Sequence, residues 1–200
     1  VENLVSQGYS IRSYWKDIIK DPEVSFLLMI VDDHGPRRGG KRKDILNLKL
    51  VDYKSNRNIL IEGFIEAEKL LAEERIFTSN DLPYSTQLIP LSAICSLLIE
   101  NKQMNITAVK DKIKQWYWCG VFCEMYGGAN ETRYVNDVQG LMKWVSDDKE
   151  QPETVIRSNF YATRLYQLTT RNSAAYKGVM ALILKNHCRD FISGSEMDFA

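Results

Sequence analysis

The sequence predicts an all-α protein, an irregular multi-helix bundle with one minor strand or hairpin allowed before residue 55. Three observations carry this. Apolar residues recur at helical spacing along two long stretches, Ile59-Ile61-Phe64-Ile65-Leu70-Leu71 and Val109-Ile113-Trp116-Tyr117-Phe122-Met125. Helix start signals recur, from Asp21-Pro22-Glu23 to Ser173 ahead of AAYKGVMALILKN. An apolar share of 44% over 200 residues is enough for a sizeable core. Together these give a single domain over residues 1–200, of roughly seven to nine helices.

Taken in order, Ser10 is placed to cap a first helix with Ile11, Trp15, Ile18 and Ile19 on one face. Asp21-Pro22-Glu23 opens a second, because proline at the first helical position has no N–H to lose, and VSFLLMIV then reads as a buried helix. Residues 32–43, DDHGPRRGGKRK, form a loop with three glycines, one proline and five basic residues, Arg37, Arg38, Lys41, Arg42 and Lys43. Such a cluster suits either a solvated surface or phosphate contact. Its glycines do not form a phosphate-cradling loop, which needs G-x-x-x-x-G-K-[ST]. Residues 44–54 fit a short helix or strand. Asn56 or Asn58 then opens an amphipathic helix whose wet side carries Glu62, Glu66, Lys69, Glu73 and Glu74. Residues 77–83 are a connector. QLIPLSAICSLLIE is apolar nearly all round and belongs in the centre, with Pro90 in its first turn.

The densest piece of core is 115–135, QWYWCGVFCEMYGGANETRYV, since aromatics bury much area per residue. A helix starting at Asn105 or Thr107 should run to Gly127-Gly128. A second, capped by Asn130, should turn Tyr134, Val138, Leu141, Met142 and Val145 inward, making an αα-hairpin. A charged loop follows from Asp147 to Thr154. A short helix passes through Ala162–Tyr166, and Ser173 caps the last one.

Basic and acidic residues number 26 each, so no net field draws the chain onto nucleic acid or anionic membrane, although a local basic patch remains open. Four cysteines, Cys95, Cys119, Cys123 and Cys188, are too sparse for a disulfide scaffold and read as cytosolic thiols. The first twenty residues lack a signal-peptide core, and Val24–Val31 is too short to span a bilayer, which needs about 20 apolar residues. The expected place is the cytoplasm, without membrane contact. Val1 and the turn-like Ser193-Gly194-Ser195 near the end read as cuts in a longer protein.

No chemistry is signalled strongly. Two histidines, His34 and His187, give zinc too few partners, and Cys119 and Cys123 on one helix face read as packing. No nucleophile elbow is present. Glu62, Glu66, Glu73 and Glu74 read as solvated charges. Two polar clusters stand out: Asn130-Glu131-Thr132-Arg133, and Thr170-Arg171-Asn172-Ser173 with Tyr176-Lys177-Gly178. Capping explains Asn130 and Ser173 but leaves Arg133, Arg171, Asn172 and Lys177 free to meet an anion or a neighbouring segment.

LPYSTQLIPL (82–91), KQWYWCGVFCEMYGGANETRYVNDV (114–138), LTTRNSAAYKGVMALIL (168–184) and CRDF-x-SG (188–194) occur in this order. The set resembles the helical middle of GmrSD-type proteins, modification-dependent restriction endonucleases of prokaryotic defence. The resemblance is carried by residues 56–200 and is weak over 1–55. It implies an N-terminal ParB-like domain with a DGQQR-type motif tied to nucleotide, and a C-terminal HNH nuclease with paired histidines and a divalent metal. Neither motif is in this sequence, so the resemblance carries over no catalytic residue, no cofactor and no metal ligand. It implies a connector between those two domains, in contact with them or with DNA and inactive alone. Arg133, Arg171 and Lys177 are then expected to converge on one surface. The alternatives are a stand-alone helical protein-interaction module and, more remotely, an enzyme with a cysteine nucleophile.

Overall fold

The computed structural model describes residues 50–128 and 130–195. The expected Ser10 cap, the helix after Asp21-Pro22, the loop 32–43 with Arg37, Arg38, Lys41, Arg42 and Lys43, and any strand ahead of residue 50 lie outside the described residues. Within them the fold is all-α, without a strand. The helices are α1 (Leu50–Glu73), α2 (Leu88–Glu100), α3 (Thr107–Phe122), α4 (Glu131–Ser146), α5 (Glu153–Ile156) and α6 (Ala174–Lys185). Two 3-10 turns, Ser85–Gln87 and Ala162–Gln167, join them, so the predicted helix through Ala162–Tyr166 is a 3-10 element. Residues 50–54 belong to α1, which extends upstream of the predicted start at Asn56 or Asn58. No helix among the described residues is long and apolar enough to cross a membrane.

α2 lies between α1 and α4, and its buried residues run from Leu88 through Ser96 to Leu98. An all-apolar helix has no wet face, so the centre is its only stable place. Its two serines are buried without orphaning a hydroxyl: Ser92 Oγ donates to Ile89 O at 2.9 Å and Ser96 Oγ to Ser92 O at 2.8 Å. α1 meets it at Gly63, where a Cβ would stand 2.5 Å from Ser92 O. Phe64, Ala67, Leu70 and Leu71 are buried along the same seam.

α3 turns Val109, Ile113, Trp116 and Tyr117 into the core as predicted, with Val121 beside them, while Phe122 is only half-buried and Met125 lies beyond the helix end. Trp116 meets Tyr126 edge-on at 6.2 Å, and Tyr126 stacks on Tyr134 at 6.2 Å and 13°. Neither Asn105 nor Thr107 caps α3; Ile106 is the residue before it. On α4, Tyr134, Val138 and Leu141 are buried, Met142 and Val145 pack against the core, and Trp144 joins them.

The helix ends differ from the expectation. α3 stops at Phe122, well before Gly127-Gly128, because Glu124 takes a left-handed φ of 52°. Glu124 N then donates to Val121 O at 3.1 Å and Met125 N to Gly120 O at 3.0 Å, the paired bonds of a Schellman cap. Arg75 (φ 64°) closes α1 and Lys102 (φ 57°) closes α2 with the same pair of bonds. His187 (φ 55°) takes the equivalent position after α6. The chain from α3 to α4 is therefore not a tight hairpin: it carries Tyr126 back into the core first. Asn130 stands at the N-cap of α4 but does not cap it; its Nδ2 donates to Tyr126 O at 2.8 Å. Thr154 is not in a loop: it lies buried in α5, behind Pro152.

Candidate functional site

The site grows from the way α6 is seated. Its buried residues are all small: Ala174, Ala175, Gly178 and Ala181. A Cβ on Gly178 would reach 2.9 Å from Val121 Cγ1, so α6 lies directly against α3. Ser173 caps it as predicted, accepting from Tyr176 N at 3.3 Å. Two polar clamps then fix its ends. Lys177 Nζ donates to Leu82 O at 3.2 Å. Two helical turns on, about 12 Å along the axis, Lys185 Nζ reaches both oxygens of Glu74, at 2.8 and 2.7 Å.

Glu74 corrects the expectation that it sits on the wet side of α1. It is 2% exposed, just past the helix end, and also takes Trp118 Nε1–H at 3.0 Å and Lys114 Nζ at 3.5 Å. Its charge is met by two lysines and an indole, which is what a buried carboxylate needs. Glu73 beside it is exposed and pairs with Lys114 at 2.7 Å, and that hydrogen bond holds its carboxyl below the usual range.

Seated this way, α6 forms one wall of a groove of about 540 Å³. The other wall is the end of α1 and the connector after it, with Arg75, Phe77, Asn80 and Asp81. α6 and the turn before it supply Arg171, Asn172, Tyr176, Lys177, Met180 and Leu184. Three cations thus face one carboxylate, and that carboxylate is committed: Asp81 Oδ2 accepts from Thr78 N at 3.0 Å and Thr78 Oγ1 at 2.7 Å. Arg75 and Arg171 have no acidic partner among the described residues. Of the residues singled out in the sequence, Arg171, Asn172 and Lys177 come together here.

Arg133 does not line this groove. It is half-buried on α4, its Nη1 3.7 Å from Met125 Sδ, close to a second buried acid, Asp137. Asp137 is 1% exposed and accepts from Thr154 Oγ1 at 2.7 Å and from the Tyr126 hydroxyl. Burial raises its carboxyl above the usual range, and the Thr154 and Tyr126 hydrogen bonds only partly offset this. The sequence reading missed Asp137 and Arg75. Asp137 falls on the inward stripe Tyr134-Val138-Leu141, a polar residue at a core position. Arg75 carries no such mark.

A second groove, of about 600 Å³, opens on the other flank of α6 and is lined by Phe122, Phe160, Leu165, Val179, Leu182 and Ile183, with Cys188. Cys95 and Cys119 do not resemble activated nucleophiles: burial pushes both thiols up, away from the thiolate.

No model of a known protein family matches the chain, and no solved structure matches it. An uncharacterized protein of Methanocaldococcus jannaschii, MJ0686, is 35% identical over 85 residues, which is 40% of this chain and 15% of that protein. The match therefore spans a small part of a much longer relative.

Proposed function

We propose that this chain is the helical central region of a GmrSD-type restriction endonuclease, positioning a ParB-like domain and an HNH nuclease and offering DNA the groove of Arg75, Arg171 and Lys177. The observation that carries this reading is how the stretches that resemble that family fit together. Gln87 Nε2 donates to Tyr117 O at 3.0 Å, Thr86 Oγ1 to Tyr126 O at 3.2 Å, and Lys177 Nζ to Leu82 O at 3.2 Å. Gly178 abuts Val121, and Cys188 lines a groove with Phe122. Motifs that are far apart in sequence and contiguous in space are what a shared scaffold requires. The groove adds uncompensated positive charge at the surface of that scaffold, the feature backbone phosphate seeks.

On this reading the 200-residue chain has no nuclease activity of its own. Nucleotide and divalent metal belong to the flanking domains. The test is fluorescence anisotropy with a labelled DNA duplex. Binding should weaken steeply as salt rises, and Arg171→Gln and Lys177→Gln should each weaken it and flatten the salt slope. Salt-independent binding, or variants that bind like the parent, would sink the proposal, as would DNA cleavage with Mg²⁺ or Mn²⁺ that survives stringent purification.

The apolar groove favours a second reading, a stand-alone protein-interaction module. Its walls expose Phe160 at 38%, Leu165 at 45% and Ile183 at 46%, the kind of surface a partner helix covers.

A further inference from the structure

We infer that the groove between the α1 end and α6 takes a single unstacked nucleotide of a single-stranded nucleic acid, its base against Phe77 and Tyr176 and its phosphate between Arg75, Arg171 and Lys177. The inference rests on the nucleic-acid reading above and makes it more specific: a duplex backbone needs cations alone, whereas this groove has more.

Phe77 stands on one wall and Tyr176 on the other, each half-buried, so each offers ring surface without needing to leave its place. Stacking on aromatic side chains tolerates any base, because every base has a π-face. Asn80 and Asn172, one from each wall, are exposed amides in the same groove, and an amide both donates and accepts at a base edge. A volume of about 540 Å³ is in the range of small-molecule sites and suits one nucleotide.

Three cations line the groove, Arg75 from one wall and Arg171 and Lys177 from the other. Lys177 uses one N–H on Leu82 O, which orients the ammonium and leaves two for an anion. Arg171 projects from the turn just before α6, exposed and without an acidic partner among the described residues. Arg75 is held at the left-handed cap of α1, so its backbone is fixed where the connector begins. Asp81 is the one carboxylate among the described residues of the lining, and its bonds to Thr78 commit it. While α6 is docked, the Lys177–Leu82 and Lys185–Glu74 clamps bracket the site and set the spacing of its walls. That preorganisation lowers the ordering cost of binding.

The experiment compares labelled oligo(dT), oligo(rU) and a DNA duplex by fluorescence anisotropy at low salt. Oligo(dT) is expected to bind more tightly than duplex. Phe77→Ala and Tyr176→Ala should each weaken it by roughly 5- to 150-fold, the range seen for one lost base stack, while duplex binding stays unchanged. Tyr176→Phe should restore the affinity, which separates stacking from loss of fold, and circular-dichroism melts check each variant. Arg171→Gln should weaken binding to all the nucleic acids. Equal binding of oligo(rU) would assign the site to single strands in general, and preference for oligo(dT) to single-stranded DNA. Aromatic variants that leave oligo(dT) binding intact, or duplex binding the tighter, would overturn the inference while leaving the broader reading standing. Binding to none of the nucleic acids would overturn both.

Discussion

At Gly63 the backbone of α1 meets α2, and at Gly178 the backbone of α6 meets α3. The two contacts differ in everything around the glycine. Along the first, large side chains such as Phe64 and Leu71 are buried, and the seam is closed to water. Along the second, α6 contributes only small residues to the buried surface. The large ones of α6, among them Val179, Met180, Leu182 and Ile183, stand half-exposed or exposed over grooves on both flanks. The first contact is held by apolar burial, and the second depends on polar clamps at Lys177 and Lys185. A protein can leave apolar surface open beside a helix only if something other than that surface holds the helix down.

Four changes test this contrast. The largest effect is expected at Gly63→Ala, where the new methyl meets a carbonyl oxygen at 2.5 Å and the two central helices must part. A loss of about 3 kcal/mol should appear as a lower urea midpoint at unchanged slope. A loss no larger than that of Gly178→Ala, whose Cβ meets side chains only, would erase the distinction between the contacts. Next is Glu74→Gln, which keeps a partner for Trp118 and leaves Lys114 its bond to Glu73, but strands Lys185. About 2 kcal/mol is expected, less than for a fully buried pair because both lysines are partly exposed. Glu74→Gln with Lys185→Met should cost less than the sum of the two single changes.

Asp137 gives the third test, in pH. Its folded carboxyl titrates above its unfolded one, so the folded state binds the proton more tightly. Its contribution is most favourable below the unfolded pKa and is lost as pH rises through the raised folded value. Thermal melts from neutral pH downward should therefore contain a stabilising component that Asp137→Asn removes. Identical pH profiles for the two proteins would refute it. The smallest effect is a gain. Lys102 sits left-handed at the α2 cap with an exposed side chain, and Lys102→Gly should raise stability by about 0.5–1 kcal/mol.

That last position explains much of what the sequence left unread. Periodicity identified α1, α3 and α4, and near-continuous apolar runs identified α2 and α6, because burial writes itself into the order of apolar residues. It did not locate the end of α3, because a reader looks for glycine at a left-handed cap and here the residue is Glu124. The other left-handed caps, Arg75, Lys102 and His187, are equally unmarked. The groove was half legible. Arg171, Asn172 and Lys177 lie close together in sequence and stood out as a cluster. Arg75 and Phe77 reach the same place only through the fold, and no local pattern links residue 75 to residue 171. Arg133 looked equivalent to Arg171 but projects from another helix, beside Met125. Glu74 looked solvated because it continues the helical spacing of Glu62, Glu66 and Glu73, yet the chain turns at Arg75 and carries it inward.

The clamps on α6 also have a consequence in time. Lys177 and Leu82 are 95 residues apart, and Lys185 and Glu74 are 111 apart, whereas α1 and α2 are neighbours along the chain. Closing a long loop must be completed before its contacts return anything, so distant pairings form late. α6 should dock after α1, α2 and α4 have condensed, and it should also be the first helix to lift away. Native-state hydrogen exchange would then find the amides of Ala174–Lys185 opening well below the global unfolding free energy, with those of Leu88–Glu100 opening only at it. The groove would appear and vanish with that one helix while the rest of the domain stayed folded.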